Sequence, residues 1–251
     1  MKPATPPQPV FIESPLTLVP DIERETVTIQ HHQFLLERPA RSDRLLDDPV
    51  VQAANEADDY MPYWADIWPA SRMMAKVILR ERFPENFSSR SVVLELGCGL
   101  GLAGLAALKR GFSVIFSDYD LTALSFAARN ARLNGFTDFQ TLPLDWRYPP
   151  ENLRVTLLLA ADLTYEIRNI DPLLALMKQV LAPDGVCWLT DPDRNPAAHL
   201  RRRLDEERFV YSTEFIRAGE PGGDRVKGTL YRIRLPGQPG LCEITGRTVP
   251  S

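Results

Sequence analysis

The sequence predicts a doubly wound α/β fold whose sheet ends in an antiparallel hairpin, and three observations predict it. Short apolar runs alternate with helix-period stretches from Ser91 onward. A glycine-rich turn joins the first of these runs to its helix. Two strand-like runs close the pattern with no helix between them. Composition agrees with a folded chain of this class: 251 residues, 44% hydrophobic and 25% charged. No apolar run is long enough to cross a bilayer.

In chain order, Pro3, Pro6, Pro7, Pro9, Pro15 and Pro20 fix φ and remove backbone donors. Residues 1–24 are therefore expected to be a flexible, proline-rich arm outside the core. Residues 25–90 read as a strand and helix extension packed on the core, with Thr26 to Glu37 a strand or hairpin. On one strand, His31 and His32 would point to opposite faces and could not share a metal, so no metal site is assigned.

The core is expected over 91–236. Its parallel strands read as Val92 to Leu96, Ser113 to Asp118, Phe139 to Leu144, Val155 to Ala161 and Val186 to Thr190. Helices are expected at Leu102 to Arg110, Thr122 to Leu133, Pro172 to Leu181 and Pro196 to Glu207. Gly111 and Asn134-Gly135 mark C-termini, and Asp171-Pro172 and Asn195-Pro196 mark starts. Phe209 to Ile216 and Lys227 to Leu235, joined by a turn-rich segment at 218–224, predict the closing hairpin. The fold is thus Rossmann-like, seven-stranded, with one antiparallel strand, followed by a loosely ordered tail over 237–251.

Charge and cysteine usage narrow the function. With 29 basic and 33 acidic residues the net charge is -4, which gives no overall attraction to nucleic acid or anionic membranes. Arg201, Arg202 and Arg203 fall at three angles of one helix and read as a solvated face. Cys98, Cys187 and Cys242 form no paired motif, and the proline-broken start lacks a secretory pattern, so a cytoplasmic protein is expected.

The segment Glu95-Leu-Gly97-Cys98-Gly99-Leu-Gly101 places small residues at the carboxyl end of the first parallel strand, where open α/β sheets bind cofactors. Gly99, Gly101 and Gly104 also satisfy GxGxxG, a weak pointer to a dinucleotide. Glu95 argues otherwise, because a carboxylate there repels a pyrophosphate and suits a ligand bearing ammonium and sulfonium charges. S-adenosylmethionine carries both. Asp118, with Asp120 in reserve and Tyr119 between them, stands where ribose hydroxyls would be held. Asp145 can accept from an adenine amino group, with Trp146 lining the ring. Asp145 alone would also suit a turn or cap.

These motifs resemble the seven-stranded, S-adenosylmethionine-dependent class I methyltransferases from about Tyr60 to Leu235. Ala161-Asp162-Leu-Thr-Tyr165 is similar to the DxxY pattern of the family 16 protein-lysine methyltransferases, and Tyr63-Trp64-Ala-Asp-Ile-Trp68-Pro69 to their tryptophan-bearing segment. Asp191-Pro-Asp193-Arg194 is similar to the Asp-Pro-Gly-Arg of the branch with the electron-transfer-flavoprotein β-subunit enzyme, with Asp193 at the glycine position. The resemblance implies lysine methylation of a protein partner. Under it Asp162 captures and orients the amine, Tyr165 offers its hydroxyl and one wall, and Trp68 closes over the cofactor, with Ala161 beside it. Trp64 and Trp68, four apart, would share one helical face. A small-molecule amine or pyridine N-methyltransferase, as in the nicotinamide branch, and a non-catalytic cofactor- or partner-binding fold are the alternatives. A monomer or weak oligomer is expected.

Overall fold

The computed structural model describes residues 11–12, 21–83, 87, 91–219 and 225–238. Most of the expected arm and tail, and the turn from 220 to 224, lie outside them. Among the described residues, a seven-stranded sheet runs in the order β5-β4-β3-β6-β7-β9-β8. Its strands are β3 (Val92–Leu96), β4 (Ser113–Asp118), β5 (Phe139–Pro143), β6 (Val155–Ala161), β7 (Leu181–Asp191), β8 (Val210–Ala218) and β9 (Val226–Arg234). Strands β3 to β7 are parallel, and β9 is antiparallel to both β7 and β8, as the alternation predicts. The central strands are nearly all apolar because helices cover both faces. The chain leaves β3 toward β4 and β5, then returns to β6. A crevice therefore opens at the carboxyl ends of β3 and β6.

Local chemistry sets the helices. The carboxylate of Asp48 accepts from Val50 N–H at 2.6 Å and caps α1 (Pro49–Asp58), whose proline sits where no helical donor is lost. The helix stops at Asp59, which takes a left-handed φ of 52°. Helix α2 (Pro69–Arg80) buries Met73, Met74, Val77 and Ile78 on one side of the sheet. Helices α3 (Leu102–Lys109) and α4 (Leu121–Leu133) follow β3 and β4. Helix α5 (Ile170–Val180) starts two residues before the expected Pro172, and Pro172 is tolerated because the first-turn N–H groups have no helical partner. Helix α6 is Ala197–Glu206; Arg201 donates to Tyr231 while Arg203 pairs with Asp171, Glu206 and Glu207, so its arginines part company as expected.

Strand β7 is longer than the expected Val186 to Thr190. Leu181 pairs with Val155 ahead of a register shift, in a Pro- and Gly-containing stretch that reads as a turn. Thr26 to Glu37 is a hairpin, β1 (Ile22–Ile29) and β2 (His32–Pro39). Its turn falls at Gln30 and His31, so the two histidines do not occupy one strand. Their rings lie 4.0 Å apart instead of on opposite faces. Part of the expected arm also lies on the fold: Ile12 is buried, and its carbonyl accepts from Leu121 N–H at 2.8 Å at the rim beside β4.

Asn130 of α4 joins three segments. Its Oδ1 accepts from Glu37 N–H at 2.7 Å, and its Nδ2 donates to Leu100 O at 3.0 Å and Glu37 O at 3.1 Å. Asn130→Ala leaves the buried Leu100 carbonyl and the partly buried Glu37 backbone groups unsatisfied, at a cost of about 1–3 kcal/mol in unfolding free energy. Urea denaturation checks this; an unchanged midpoint contradicts the packing account.

Candidate active site

The crevice is a cavity of about 600 Å³ running from the glycine loop to Tyr165. That volume is within the range of pockets that enclose a ligand of nucleoside size. Nine Asp or Glu residues and three Arg line it, so its walls favour a cationic guest.

Strand β3 ends in the glycine loop, where Gly97, Gly99 and Gly101 all have positive φ. A Cβ at Gly97 would lie 2.7 Å from Leu163 Cδ2, and one at Gly99 would lie 3.2 Å from Trp64 O. Only bare backbone fits both the conformation and the space. Cys98 acts through its backbone, donating from N–H to Ser117 O at 2.9 Å, and burial pushes its thiol well up.

The expected role of Glu95 is corrected. Its side chain is buried, and Oε2 accepts from Gly104 N–H at 2.8 Å in the first turn of α3. Burial pushes its pKa up to about 8 against the opposing backbone hydrogen bonds of Gly104 and Ala103. One of its oxygens is thus spent on the helix, although the side chain still borders the cavity. It occupies the helix N-terminus that a pyrophosphate would need.

Asp118 stands at the cavity wall as expected. Its Oδ2 accepts from Gly99 N–H at 2.9 Å and its Oδ1 from Asp120 N–H at 3.0 Å. Each oxygen keeps a lone pair for a diol. Burial raises its pKa to about 6. Asp120, the reserve candidate, is a structural residue: it caps α4 through Thr122 N–H at 2.6 Å and accepts from the Tyr60 hydroxyl. Tyr119 lines the same end, with its ring 6.4 Å from Tyr60 and 6.3 Å from Phe11.

Asp145 is less free than expected. Both of its oxygens are engaged by the Arg147 guanidinium at 2.8–3.0 Å, and its Oδ1 also accepts from Arg147 N–H. Arg147 reaches on to Asp58 of α1 at 2.8 Å and lies over the Tyr119 ring. Any adenine contact at Asp145 must share the carboxylate with this clamp. Trp146 lines the cavity beside it. Arg147 carries no motif signal in the sequence, because its partner Asp58 is far off along the chain.

At the opposite end, Asp162 follows β6 and Ala161 with a left-handed φ of 59°. Its carboxylate is already paired: Arg194 donates from Nε to Oδ1 at 3.0 Å and from a terminal nitrogen to Oδ2 at 2.9 Å. Any amine that Asp162 orients, as the sequence leads one to expect, must share the carboxylate with this guanidinium. Arg194 also lies 5.9 Å from the centre of the Trp68 ring. Trp68 packs edge-on to Tyr63 and donates to its carbonyl at 2.6 Å, and Tyr63 packs edge-on to Tyr165. Tyr63, named in the sequence only as the start of the tryptophan-bearing segment and given no role there, thus completes an aromatic collar. Burial pushes the Tyr165 phenol up to about 12, with the charge of Glu166 adding to the shift.

Trp64 and Trp68 do not share a helical face. Trp64 sits in a 3-10 turn, buried against Phe126, whereas Trp68 is the extended N-cap of α2. The Trp64 indole nitrogen is buried and has no hydrogen-bond partner among the described residues. The glycine position of the Asp-Pro-Gly-Arg pattern has a structural reason: Asp193 adopts φ 57°, a left-handed conformation that glycine takes freely. Here Asp193 accepts from the Thr229 hydroxyl at 2.7 Å.

Residues 47–212 match a protein family described as lysine methyltransferase. This chain belongs to the lysine methyltransferase family. The electron transfer flavoprotein β subunit lysine methyltransferase of Xenopus laevis is 31% identical over 53% of this chain and 53% of its own. The ribosomal protein L11 methyltransferase of Shewanella woodyi is 37% identical over 36% of this chain and 30% of its own. The chain thus spans about a third to a half of these relatives' lengths. A TehB-like SAM-dependent methyltransferase structure from Corynebacterium glutamicum shares the fold, with a TM-score of 0.50 and 15% identity over 79% of this chain and all of that one.

The residues present fit S-adenosylmethionine, the cofactor of the resemblance. Asp118 would hold the ribose and Tyr119 and Trp146 would border the base. The glycine loop and the rings of Tyr63, Trp68 and Tyr165 line the rest of the cavity that would receive the cofactor.

Protonation of Glu95 is linked to folding. Its folded pKa is raised from 4.5 to about 8, so its contribution to stability is fully present below pH 4.5 and is lost as pH rises through 8. Asp118, raised to about 6, acts in the same direction. Between pH 6 and 9 the thermal midpoint of the ligand-free Glu95→Gln variant falls less than that of the wild type. Calorimetric melting at both pH values checks this, and equal falls contradict it.

Proposed function

We propose that this protein transfers the methyl group of S-adenosylmethionine to the side-chain amine of a lysine in a protein. The observation that carries the reading is the aromatic collar of Tyr63, Trp68 and Tyr165 at the far end of a cavity whose near end is the Asp118 and glycine-loop wall. A ring-lined mouth suits a long unbranched side chain whose tip is cationic on arrival.

When bound, the cofactor supplies an electrophilic methyl group on a positively charged sulfur. The protein's work is then to align the amine and exclude water. The amine must lose its proton first. Tyr165, with its pKa near 12, keeps its proton at neutral pH and cannot serve as the base. Its neutral hydroxyl oxygen can accept from the amine and fix the direction of the lone pair. The proton leaves to water at the open mouth. Desolvation among the rings lowers the amine pKa and favours that loss.

The cytoplasm is the proposed site of action, and the described residues contain no helix long and apolar enough to cross a membrane. A protein that acts alone or as a weak oligomer, without nucleic acid, completes the proposal.

Incubation of the protein with tritiated S-adenosylmethionine and host extract is expected to place label in methyl-lysine after hydrolysis of the proteins. Label only in small amines or pyridines would replace this reading with metabolite methylation. Tyr165→Phe is expected to lower turnover about 10- to 100-fold while leaving S-adenosylhomocysteine affinity within about twofold, the signature of a group that touches the acceptor and not the cofactor. Equal turnover contradicts its role.

A further inference from the structure

Asp162 poses a chemical difficulty for the proposed reaction. A bare carboxylate beside the acceptor would hold the lysine as an ammonium, which has no lone pair to give. The structure resolves this through Arg194. Its guanidinium meets Asp162 in a two-bond fork, and the carboxylate is buried while the arginine is partly exposed.

The arginine is fixed from several sides. Its backbone N–H donates to Asp191 Oδ1 at 3.0 Å, which follows from the tight Asp191-Pro192-Asp193 turn. Asp191 is itself buried and bonded to the Thr164 hydroxyl. Trp68 lies against the guanidinium, and Tyr63 packs on Trp68. Arg194, with Tyr165, Glu166 and Arg168, borders both the cavity and an adjoining open groove. Arg168 bonds Glu166 and Asp59. The buried Asp191, bonded to the Thr164 hydroxyl and the Arg194 N–H, is a further acidic group facing the Arg194–Asp162 pair, and it stays the same in every variant below.

We propose that Arg194 is a positioning residue that cancels the charge of Asp162, so that an arriving lysine loses its proton at the mouth while Asp162 keeps a fixed orientation. The inference rests on the lysine reading given above. Two effects follow from the geometry. The fork neutralises the carboxylate toward the amine, and the remaining lone pairs of Asp162 can still accept an N–H from it. Arg194 thereby acts through Asp162 and has no need to touch the acceptor.

The test is a pH profile of single-turnover methyl transfer. The enzyme, loaded with tritiated S-adenosylmethionine, is held in excess over the acceptor, which is protein extract from a host lacking this enzyme. The rate of the wild type rises with pH as the bound amine loses its proton. Arg194→Gln exposes the carboxylate and is expected to move the midpoint up by about one pH unit, an approximately tenfold loss of rate on the acidic limb. Asp162→Asn moves the midpoint down, and the double variant returns it toward the wild-type value. Arg194→Lys, which keeps the charge, keeps the midpoint even where the rate drops. S-adenosylhomocysteine binding by calorimetry identifies variants that remain folded, and Asp162→Asn carries the test if Arg194→Gln does not fold. A uniform loss of rate with unmoved midpoints in Arg194→Gln and Asp162→Asn overturns the inference and leaves Arg194 a structural residue. Failure of the wild type to label lysine while binding S-adenosylhomocysteine overturns the lysine reading itself, and this inference with it.

Discussion

The hydrogen bond from Gly104 N–H to the buried side chain of Glu95 sets the character of the whole crevice. In an open α/β sheet the first helix after the glycine loop ordinarily offers unsatisfied N–H groups to an anion. Here a protein side chain takes that place. A Cβ at residue 104 would lie 2.5 Å from Glu95 Oε2, so the contact also requires that glycine. With the helix terminus occupied, linked phosphates lose their anchor, and the remaining recognition falls to carboxylates and rings. The same glycine loop therefore serves a different class of ligand from the one a bare GxGxxG suggests.

From this constraint the two ends of the cavity take different tasks. The Asp118 end is made of backbone donors and a carboxylate held by them, a rigid arrangement suited to a diol. The Tyr165 end is made of ring faces and one ion pair, a setting that under the proposed function would act on an amine that arrives charged and reacts neutral. Helix α1 and the segment after it join the ends on the outside. Asp58 reaches Arg147 at the base side, while Asp59 reaches Arg168 near the mouth. The extension before the core is thus part of the site wall, a task that its composition does not announce.

The sheet was legible because parallel strands buried on both faces leave short apolar runs that recur between helix-period stretches. The buried helix Leu102–Lys109 leaves an apolar run of its own, and only the glycine turn before it tells the two apart. The positions of Gly97, Gly99 and Asp118 on the cavity wall were legible for a related reason, since each sits at a strand end, whereas Tyr165, four residues past β6, was reached only through the DxxY pattern. The partners of the charged residues were not. Arg147 with Asp58, and Arg194 with Asp162, are pairs made by tertiary packing across long stretches of chain, and no local pattern encodes them. Glu95 was read with the right position and the wrong direction, because its place on the strand does not say whether the side chain meets the ligand or the helix. The histidine pair shows a third kind of error, in which one turn residue converts opposite faces into neighbours.

Isothermal titration of the protein with S-adenosylhomocysteine and, separately, with NADH tests the central claim most directly. Saturable one-to-one binding of the first and none of the second is the predicted result. Saturable binding of NADH, with no heat from S-adenosylhomocysteine, would contradict the account from the glycine loop outward.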